Sequence, residues 1–224
     1  ELRKKLLIGF KGNPEVDRDK LEEALDPVHF AISLSGEPTL YPMLPQLVRY
    51  LRQRPGTFSI FIVTNGQEPQ MLKRLWDENS LPTQLYLSVT APTPELYRKI
   101  SVPLYGDAWE RLRESMRIVS EVPTRTVLRT TVIRGFNDVM PEKWAEIVAF
   151  TNAHFVEFKA YMHLGYSQRR LPREAMPSHE YVRDFGRKVM ENLDGYELMD
   201  EHEPSRVVVY QNRERYVDRW IRGP

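Results

Sequence analysis

The sequence predicts an α/β fold with a mostly parallel sheet, in the form of a partial (βα) barrel. Apolar runs of strand length alternate with amphipathic helical patterns along the 224 residues. Most of these runs are continuous, which is typical of strands buried on both faces. A full eight-fold barrel needs about 250 residues, so these elements indicate a smaller or incomplete one.

Each element follows from its own pattern. The predicted strands cover residues 30–34, 58–63, 85–89, 127–133, 155–161 and 207–210. The predicted helices cover residues 42–53, 69–79, 108–122, 141–152 and 179–192, several with a proline near the first turn. The acidic segment before the last strand predicts an edge hairpin over 196–210. Residues 1–10 resemble the end of a helix, so we expect the first strand and its loop to be missing from a single domain spanning 1–224.

The composition limits the possible function. The chain has 32 Lys and Arg against 31 Asp and Glu, a net charge of +1 that neither requires nor excludes a nucleic-acid partner. The absence of cysteine excludes disulfides, zinc–cysteine sites and any iron–sulfur cluster ligated within these residues. No apolar stretch has the length of a membrane span, so a soluble, cytoplasmic protein is expected.

Small and polar residues follow the predicted strands. These strand ends are Ser35-Gly36-Glu37-Pro38, Thr64-Asn65-Gly66, and residues 88–92, 134–138 and 165–167. Each could be a simple turn, since Gly, Asn and Pro favour turns. The recurrence of such residues at successive strand ends instead predicts a ligand pocket at the carboxyl edge of the sheet.

Two basic residues are predicted on the inner face of the barrel. Period-two alternation places Glu157, Lys159 and Tyr161 on one face of a strand. Lys159 is expected either to pair with a carboxylate such as Glu157 or Glu203, or to bind substrate. Arg129 is expected to share this face and to hold a carboxylate or phosphate with two nitrogens.

The loop over 165–173 combines aromatic and basic residues. Its candidates for RNA contact are Tyr166, Arg169, Arg170 and Arg173, because arginine binds phosphates and tyrosine stacks on extruded bases. A solvated basic loop is the alternative. Segment 213–220 mixes both charges and is predicted to be a surface element. No metal site is predicted near His202, since its acidic neighbours alternate between two strand faces.

Together these segments resemble the radical SAM superfamily, and within it the enzymes of tRNA wybutosine synthesis. The matching motifs are Leu-Ile-Gly-Phe-Lys-Gly-Asn-Pro at 7–14, Ile-Ser-Leu-Ser-Gly-Glu-Pro at 32–38, Phe-Ile-Val-Thr-Asn-Gly at 61–66, and residues 81–92, 123–129, 157–162 and 203–208. The resemblance implies a (βα)6-type barrel. It also implies that Ser35 to Pro38 receive the amino group of S-adenosylmethionine, with Thr64 and Asn65 beside them. Ser88 would approach the ribose, unless it is only a small residue that eases strand packing.

The resemblance further implies a carbon–carbon lyase that uses a 4Fe-4S cluster. Its substrates would be pyruvate and the 1-methylguanosine beside the anticodon of tRNA-Phe, with an external electron donor. The cluster cysteines and a pyruvate-binding lysine would lie upstream of the printed residues, so this chain alone, expected to be a monomer, would be inactive. Two alternatives are an aldolase-like barrel with Lys159 as Schiff-base nucleophile, and a tRNA-binding protein without catalysis.

Overall fold

The computed structural model describes residues 2–34 and 36–221. Within these residues the chain forms one sheet of seven strands: β1 (His29–Ile32), β2 (Ser59–Thr64), β3 (Gln84–Ser88), β4 (Arg125–Val132), β5 (Phe155–Ala160), β6 (Tyr196–His202) and β7 (Val207–Asn212). Their spatial order is β1-β2-β3-β4-β5-β7-β6. Strands β1 to β5 are parallel, whereas β7 is antiparallel to both β5 and β6. This open sheet confirms the predicted partial barrel and its edge hairpin.

The described residues contain eight α-helices. They are α1 (Leu2–Leu7), α2 (Arg18–Leu25), α3 (Leu44–Gln53), α4 (Pro69–Asp77), α5 (Pro94–Ser101), α6 (Ala108–Glu121), α7 (Pro141–Thr151) and α8 (His179–Met190). Helix α6 shows why the predicted helices form, because Leu112, Met116 and Val119 recur at helical spacing and are fully buried. Within the described residues, no helix has the length and apolar character that a membrane crossing requires.

Helices α2 and α5 were not predicted, because each has only eight residues and therefore about two turns of pattern. Helix α2 buries no residue, and α5 buries only Tyr97. Their first turns are stabilised by caps: the Asp17 carboxylate accepts from two backbone N–H groups, and the Thr93 hydroxyl accepts from Leu96 N at 3.3 Å. Capping therefore starts both helices, and in α5 the contacts of Leu96 and Ile100 with the core add to it.

The two faces of the sheet differ in chemistry. One face carries apolar side chains of which Ile62, Leu85, Leu87 and Phe158 are completely buried against the helices. The alternate residues of β3, β4 and β5 point to the opposite face. Toward the carboxyl ends these residues are half-buried and polar, as Arg129, Glu157 and Lys159 show, whereas Val127 and Phe155 near the strand starts are buried and apolar. Alternation along each strand therefore builds a hydrophobic core on one side and a polar inner face on the other.

Strand β1 departs from the prediction of strands buried on both faces. Its four residues alternate between exposed and half-buried. The reason is its place in the sheet, since β1 pairs only with β2 among the described residues. An edge strand keeps one side open to solvent, which its apolar sequence alone did not reveal.

Candidate functional site at the carboxyl edge of the sheet

The carboxylate of Glu37 joins the loop after β1 to the end of β2. Its Oε1 accepts hydrogen bonds from the hydroxyls of Thr39 and Thr64, each at 2.6 Å, and from Thr39 N at 3.1 Å. Among the described residues, its Oε2 accepts from Asn65 N alone, at 2.8 Å. A carboxylate offers about four lone-pair sites, so Oε2 is the oxygen with capacity for one more donor.

The rest of the first strand-end motif shapes this loop. Gly36 has φ +77°, a conformation that favours glycine, and a Cβ there would meet no atom within 4 Å. Pro38 begins a short 3-10 turn, Pro38–Leu40. Ser35 lies outside the described residues. Thr39, which the sequence did not single out, is 2% exposed and contributes two of the donors to Glu37.

The second strand-end motif is held rigidly. The buried Thr64 hydroxyl accepts from Gly66 N at 3.0 Å, and the Ser115 hydroxyl donates to Gly66 O at 2.7 Å. A Cβ on Gly66 would lie 2.6 Å from Leu87 Cδ1, and φ is +71°. Only glycine fits this close approach, which fixes the backbone that carries Asn65.

A cavity of about 280 Å³ opens beside these loops. Glu37, Asn65 and Ser88 line it together with Leu40, Gln67 and Thr90. The structure thus gathers three of the predicted cofactor residues around one space, while Thr64 lies beneath it as a partner of Glu37. The wall opposite the strand ends comes from α5 and the loop that follows it, through Tyr97 and residues 101–105.

Asn137 is a structural residue of the site that the sequence analysis treated only as part of a turn. It is fully buried, and its Nδ2 donates to Thr90 O at 2.9 Å and to Thr131 O at 2.8 Å. Its Oδ1 accepts from Ile133 N at 2.7 Å. These bonds join the ends of β3 and β4, so Asn137 fixes the position of Thr90 in the cavity wall.

An ion pair crosses the inner face between β4 and β5. Arg129 Nε donates to Glu157 Oε1 at 2.8 Å, and the guanidinium carbon lies 4.5 Å from the ring centroid of Tyr86. Burial, and next the charge of Glu157, raise the pKa of Tyr86. Arg129 therefore donates to a protein carboxylate through one nitrogen. The sequence had instead predicted that two of its nitrogens would bind a carboxylate or phosphate of a ligand.

Lys159 is not paired with Glu157 or Glu203. It is half-buried on the same face, opposite Thr131 on β4 and Val207 on β7, and it forms no ion pair within residues 2–34 and 36–221. The salt-bridge alternative is therefore wrong for this structure. Arg129 is paired with Glu157, so Lys159 is a half-buried cation without an ion-pair partner among the described residues, and such a cation attracts anions.

The loop after β5 borders a second cavity, of about 520 Å³. Tyr166 and Arg170 line it, with Lys99, Ile133, Phe136 and Tyr161. The Arg169 guanidinium lies 5.2 Å from the ring centroid of Tyr166, and Arg173 is exposed in a 3-10 turn, Arg173–Ala175. None of the three arginines forms an ion pair with a described carboxylate. The loop thus presents cations and an aromatic ring at the edge that carries Glu37.

The segment after β7 lies across the opposite end of the inner face. Gln211 Nε2 donates to Val217 O at 2.6 Å, Arg125 Nη2 donates to Arg219 O at 3.1 Å, and Arg219 pairs with Asp200. Segment 213–220, predicted as a surface element, is largely exposed but is anchored to the strand starts by these bonds. A further cavity of about 210 Å³ lies between this segment and the inner face, where Tyr86, Glu157 and Arg219 line it.

Known proteins share this arrangement. A family model described as the Radical SAM superfamily matches residues 9–148, and one described as Wyosine base formation matches residues 151–212. The S-adenosyl-L-methionine-dependent tRNA 4-demethylwyosine synthase of Pyrococcus abyssi is 48% identical over 207 residues, which cover 92% of this chain and 60% of that protein. The S-adenosyl-L-methionine-dependent tRNA 4-demethylwyosine synthase of Methanocaldococcus jannaschii is 38% identical over 218 residues. These residues cover 97% of this chain and 67% of that protein.

A solved structure supports the same family. The structure of TYW1 with a lysine-pyruvate adduct bound matches with a TM-score of 0.84 and 36% identity, covering 96% of this chain and 67% of that one. The chain spans 60% of the length of the Pyrococcus relative. The chain belongs to the radical SAM superfamily and, within it, to the family of the tRNA 4-demethylwyosine synthases.

Proposed function

We propose that this chain is the core of a tRNA 4-demethylwyosine synthase. The enzyme would join two carbons of pyruvate to 1-methylguanosine beside the anticodon of tRNA-Phe, as a lyase that releases the pyruvate carboxyl carbon. The observation that carries the proposal is the cavity where Glu37, Asn65 and Ser88 meet at the carboxyl ends of three parallel strands. Membership of the family and the name of the Pyrococcus relative support it.

The cavity fits the polar part of S-adenosylmethionine. An ammonium group needs hydrogen-bond acceptors, and Glu37 Oε2 can accept one more hydrogen bond. Gly36 precedes it in the same loop. The Ser88 hydroxyl, half-buried in the cavity wall, suits a ribose hydroxyl. The apolar and aromatic second cavity suits an adenine ring. When bound, the cofactor supplies a 5′-deoxyadenosyl radical through a 4Fe-4S cluster.

The cluster ligands belong, in this proposal, to a part of the protein upstream of the printed residues. No residue of the chain is a cysteine, whereas the superfamily requires a cluster. The Pyrococcus relative has the additional length that such a region needs. The 224 residues alone would therefore be inactive, and an external electron donor would reduce the cluster in the longer protein.

The inner face would hold the substrates. Lys159 is a cation without a carboxylate partner among the described residues, which suits the carboxylate of pyruvate. The solved relative with its lysine-pyruvate adduct supports pyruvate as the substrate class. Arg129 and its register partner Glu157 lie two residues before Thr131 and Lys159 on strands β4 and β5. Arg129 is therefore farther from the carboxyl edge, where it would contact the second substrate.

The exposed loop would bind RNA beside this opening. Arg169, Arg170 and Arg173 suit phosphates, and Tyr166 is 72% exposed and able to stack on a base. Because the loop borders the second cavity, phosphate contacts here would hold the anticodon arm over the carboxyl edge. The chain is otherwise nearly neutral, which agrees with recognition by one local cluster.

Mass spectrometry of tRNA nucleosides tests the proposal. The complete protein is incubated without oxygen with S-adenosylmethionine, a reductant, pyruvate and tRNA-Phe that contains 1-methylguanosine. We expect 4-demethylwyosine only when all components are present, and none from tRNA that carries unmethylated guanosine. Cleavage of the cofactor with unchanged tRNA nucleosides would refute the proposed activity.

Lys159, which has no ion-pair partner in the described part of the chain, also favours a second candidate, an aldolase-like Schiff-base reaction. Borohydride reduction in the presence of pyruvate distinguishes the two. A covalent adduct on Lys159 that forms without iron would support the aldolase reading. No adduct on Lys159, with 4-demethylwyosine formed by the complete protein, would exclude it.

A further inference from the structure

The Arg129–Glu157 pair leaves hydrogen-bonding groups free on both partners. The bond of 2.8 Å uses only Nε of the arginine and Oε1 of the glutamate. Within the described residues, the two Nη atoms of Arg129 and Oε2 of Glu157 have no hydrogen-bond partner. The pair therefore presents donors next to an acceptor on the inner face.

These groups are held in place before any ligand binds. The side chain of Glu157 is 13% exposed and that of Arg129 is 27% exposed, and the guanidinium stacks on Tyr86. Ser88 is the register partner of Arg129, so the pair lies level with a residue that lines the first cavity. A base bound to the pair would therefore be close to the proposed ribose site.

The order of donor and acceptor matches guanine. Guanine carries an acceptor, O6, and a donor, the exocyclic N2 amino group, on either side of N1. Arginine is the commonest side chain that binds the acceptors of guanine, and a carboxylate accepts from an exocyclic amino group. Adenine lacks both the O6 acceptor and the N2 amino group.

A small anion fits the pair less well. The negative charge of Glu157 lies next to the guanidinium and cancels its attraction for a carboxylate or a phosphate. Lys159 has no such partner among the described residues and is the better anion site on this face. The two basic residues thus have different ligands.

We propose that Arg129 and Glu157 together recognise the guanine edge of the target nucleotide. The free guanidinium nitrogens donate to O6 and Glu157 Oε2 accepts from the N2 amino group, on the two sides of the N1 methyl group. This inference rests on the proposed function, because it assumes that a 1-methylguanosine of RNA enters the barrel. It adds Glu157 as the residue that selects guanine.

Two hairpin RNAs test the proposal. Both have the sequence of an anticodon arm; one carries 1-methylguanosine at the target position, and the other carries 1-methylinosine, which lacks only the N2 amino group. We expect the protein to bind the first RNA about tenfold more tightly, the effect of one hydrogen bond to a charged acceptor. In Glu157→Gln the preference falls to about threefold, since the amide oxygen still accepts the hydrogen bond but carries no charge.

The controls separate this inference from the proposed function. Glu114→Gln, on the exposed side of α6, should keep the tenfold preference. A ratio of two affinities measured on one preparation does not depend on the folded fraction of a variant. If the wild-type protein modifies tRNA but binds both RNAs equally, the guanine contact is overturned and the proposed function is not. A wild-type protein that binds neither hairpin overturns the proposed function and, with it, this inference.

Discussion

Ser88 and Arg129 are register partners on the adjacent parallel strands β3 and β4. Ser88 lines the cavity that also contains Glu37 and Asn65, whereas Arg129 forms the ion pair of the inner face. One pair of neighbouring strands therefore connects the proposed cofactor site to the proposed substrate site. This proximity is required of an enzyme whose radical forms on one ligand and reacts with another.

Glu37→Gln should weaken the binding of S-adenosylmethionine. An amide has one acceptor oxygen, so it cannot serve Thr39, Thr64, Asn65 and a ligand ammonium together. The loss of a charged hydrogen bond predicts about a tenfold higher Kd, measured by equilibrium dialysis with the complete protein. Glu142→Gln, exposed on α7, is the control. An unchanged Kd in Glu37→Gln would show that this carboxylate only shapes the loop.

Asn137→Ala should destabilise the fold by about 2–4 kcal/mol, because it removes a buried side chain that makes three hydrogen bonds. Urea unfolding measures the change. Asn192→Ala is the matched control: its amide makes one exposed bond, to Lys188 O, and should cost less than about 0.5 kcal/mol. Equal effects of the two substitutions would contradict the role of Asn137 as the clamp between β3 and β4.

His154 should make the fold sensitive to acid. Its Nδ1 lies 2.8 Å from the Thr126 hydroxyl, and burial, followed by the charges of Arg215 and Arg125, lowers its pKa to about 4. The unfolded state takes up a proton near pH 6.5, so stability is fully present above that pH and falls as the pH is lowered toward 4.

Thermal unfolding at pH 7, 6 and 5 measures this effect. One histidine contributes a slope of at most about 1.4 kcal/mol per pH unit, and His154→Gln should remove that contribution while lowering stability at pH 7. Identical pH slopes for the wild-type protein and the variant would show that His154 is protonated equally in both states.

The triple variant Arg169→Ala, Arg170→Ala and Arg173→Ala should bind tRNA more weakly and with less dependence on salt. Each lost phosphate contact lowers the slope of log affinity against log salt by about 0.7–0.9, so the slope should fall by about 2. Tyr166→Ala should reduce affinity without changing the slope. A triple variant of the exposed Lys73, Lys143 and Lys188 to alanine is the control, and an equal loss of slope there would indicate diffuse attraction.

The sequence was sufficient for the strands and for the strand-end site. Parallel strands that are buried on both faces appear in the sequence as continuous apolar runs. The loops that follow such strands all lie at the carboxyl edge of the sheet. Glu37, Asn65 and Ser88 could therefore be placed together without knowing any distance. Thr64 was also placed there by its strand-end motif, but its hydrogen bond to Glu37 could not be predicted, nor could that of Thr39, which has no distinctive pattern.

Strand register explains what could not be predicted. The sequence places Glu157 and Lys159 on one face of β5, and this left an ion pair between them as one of two alternatives, with substrate binding by Lys159 as the other. The nearest cation to Glu157 is its register partner Arg129, on another strand. Which residues lie opposite each other depends on the packing of the whole sheet. The same limit applies to Asn137, whose partners belong to β3 and β4.

A crystal structure of the complete protein with S-adenosylmethionine tests the central claim most directly. We expect the amino group of the methionine moiety within hydrogen-bonding distance of Glu37 Oε2, and the ribose hydroxyls beside Ser88. Arg129 and Glu157 should remain paired below the cofactor and free to meet a base. A cofactor bound elsewhere, with the cavity between Glu37 and Ser88 empty, would contradict the assignment of this strand edge as the site.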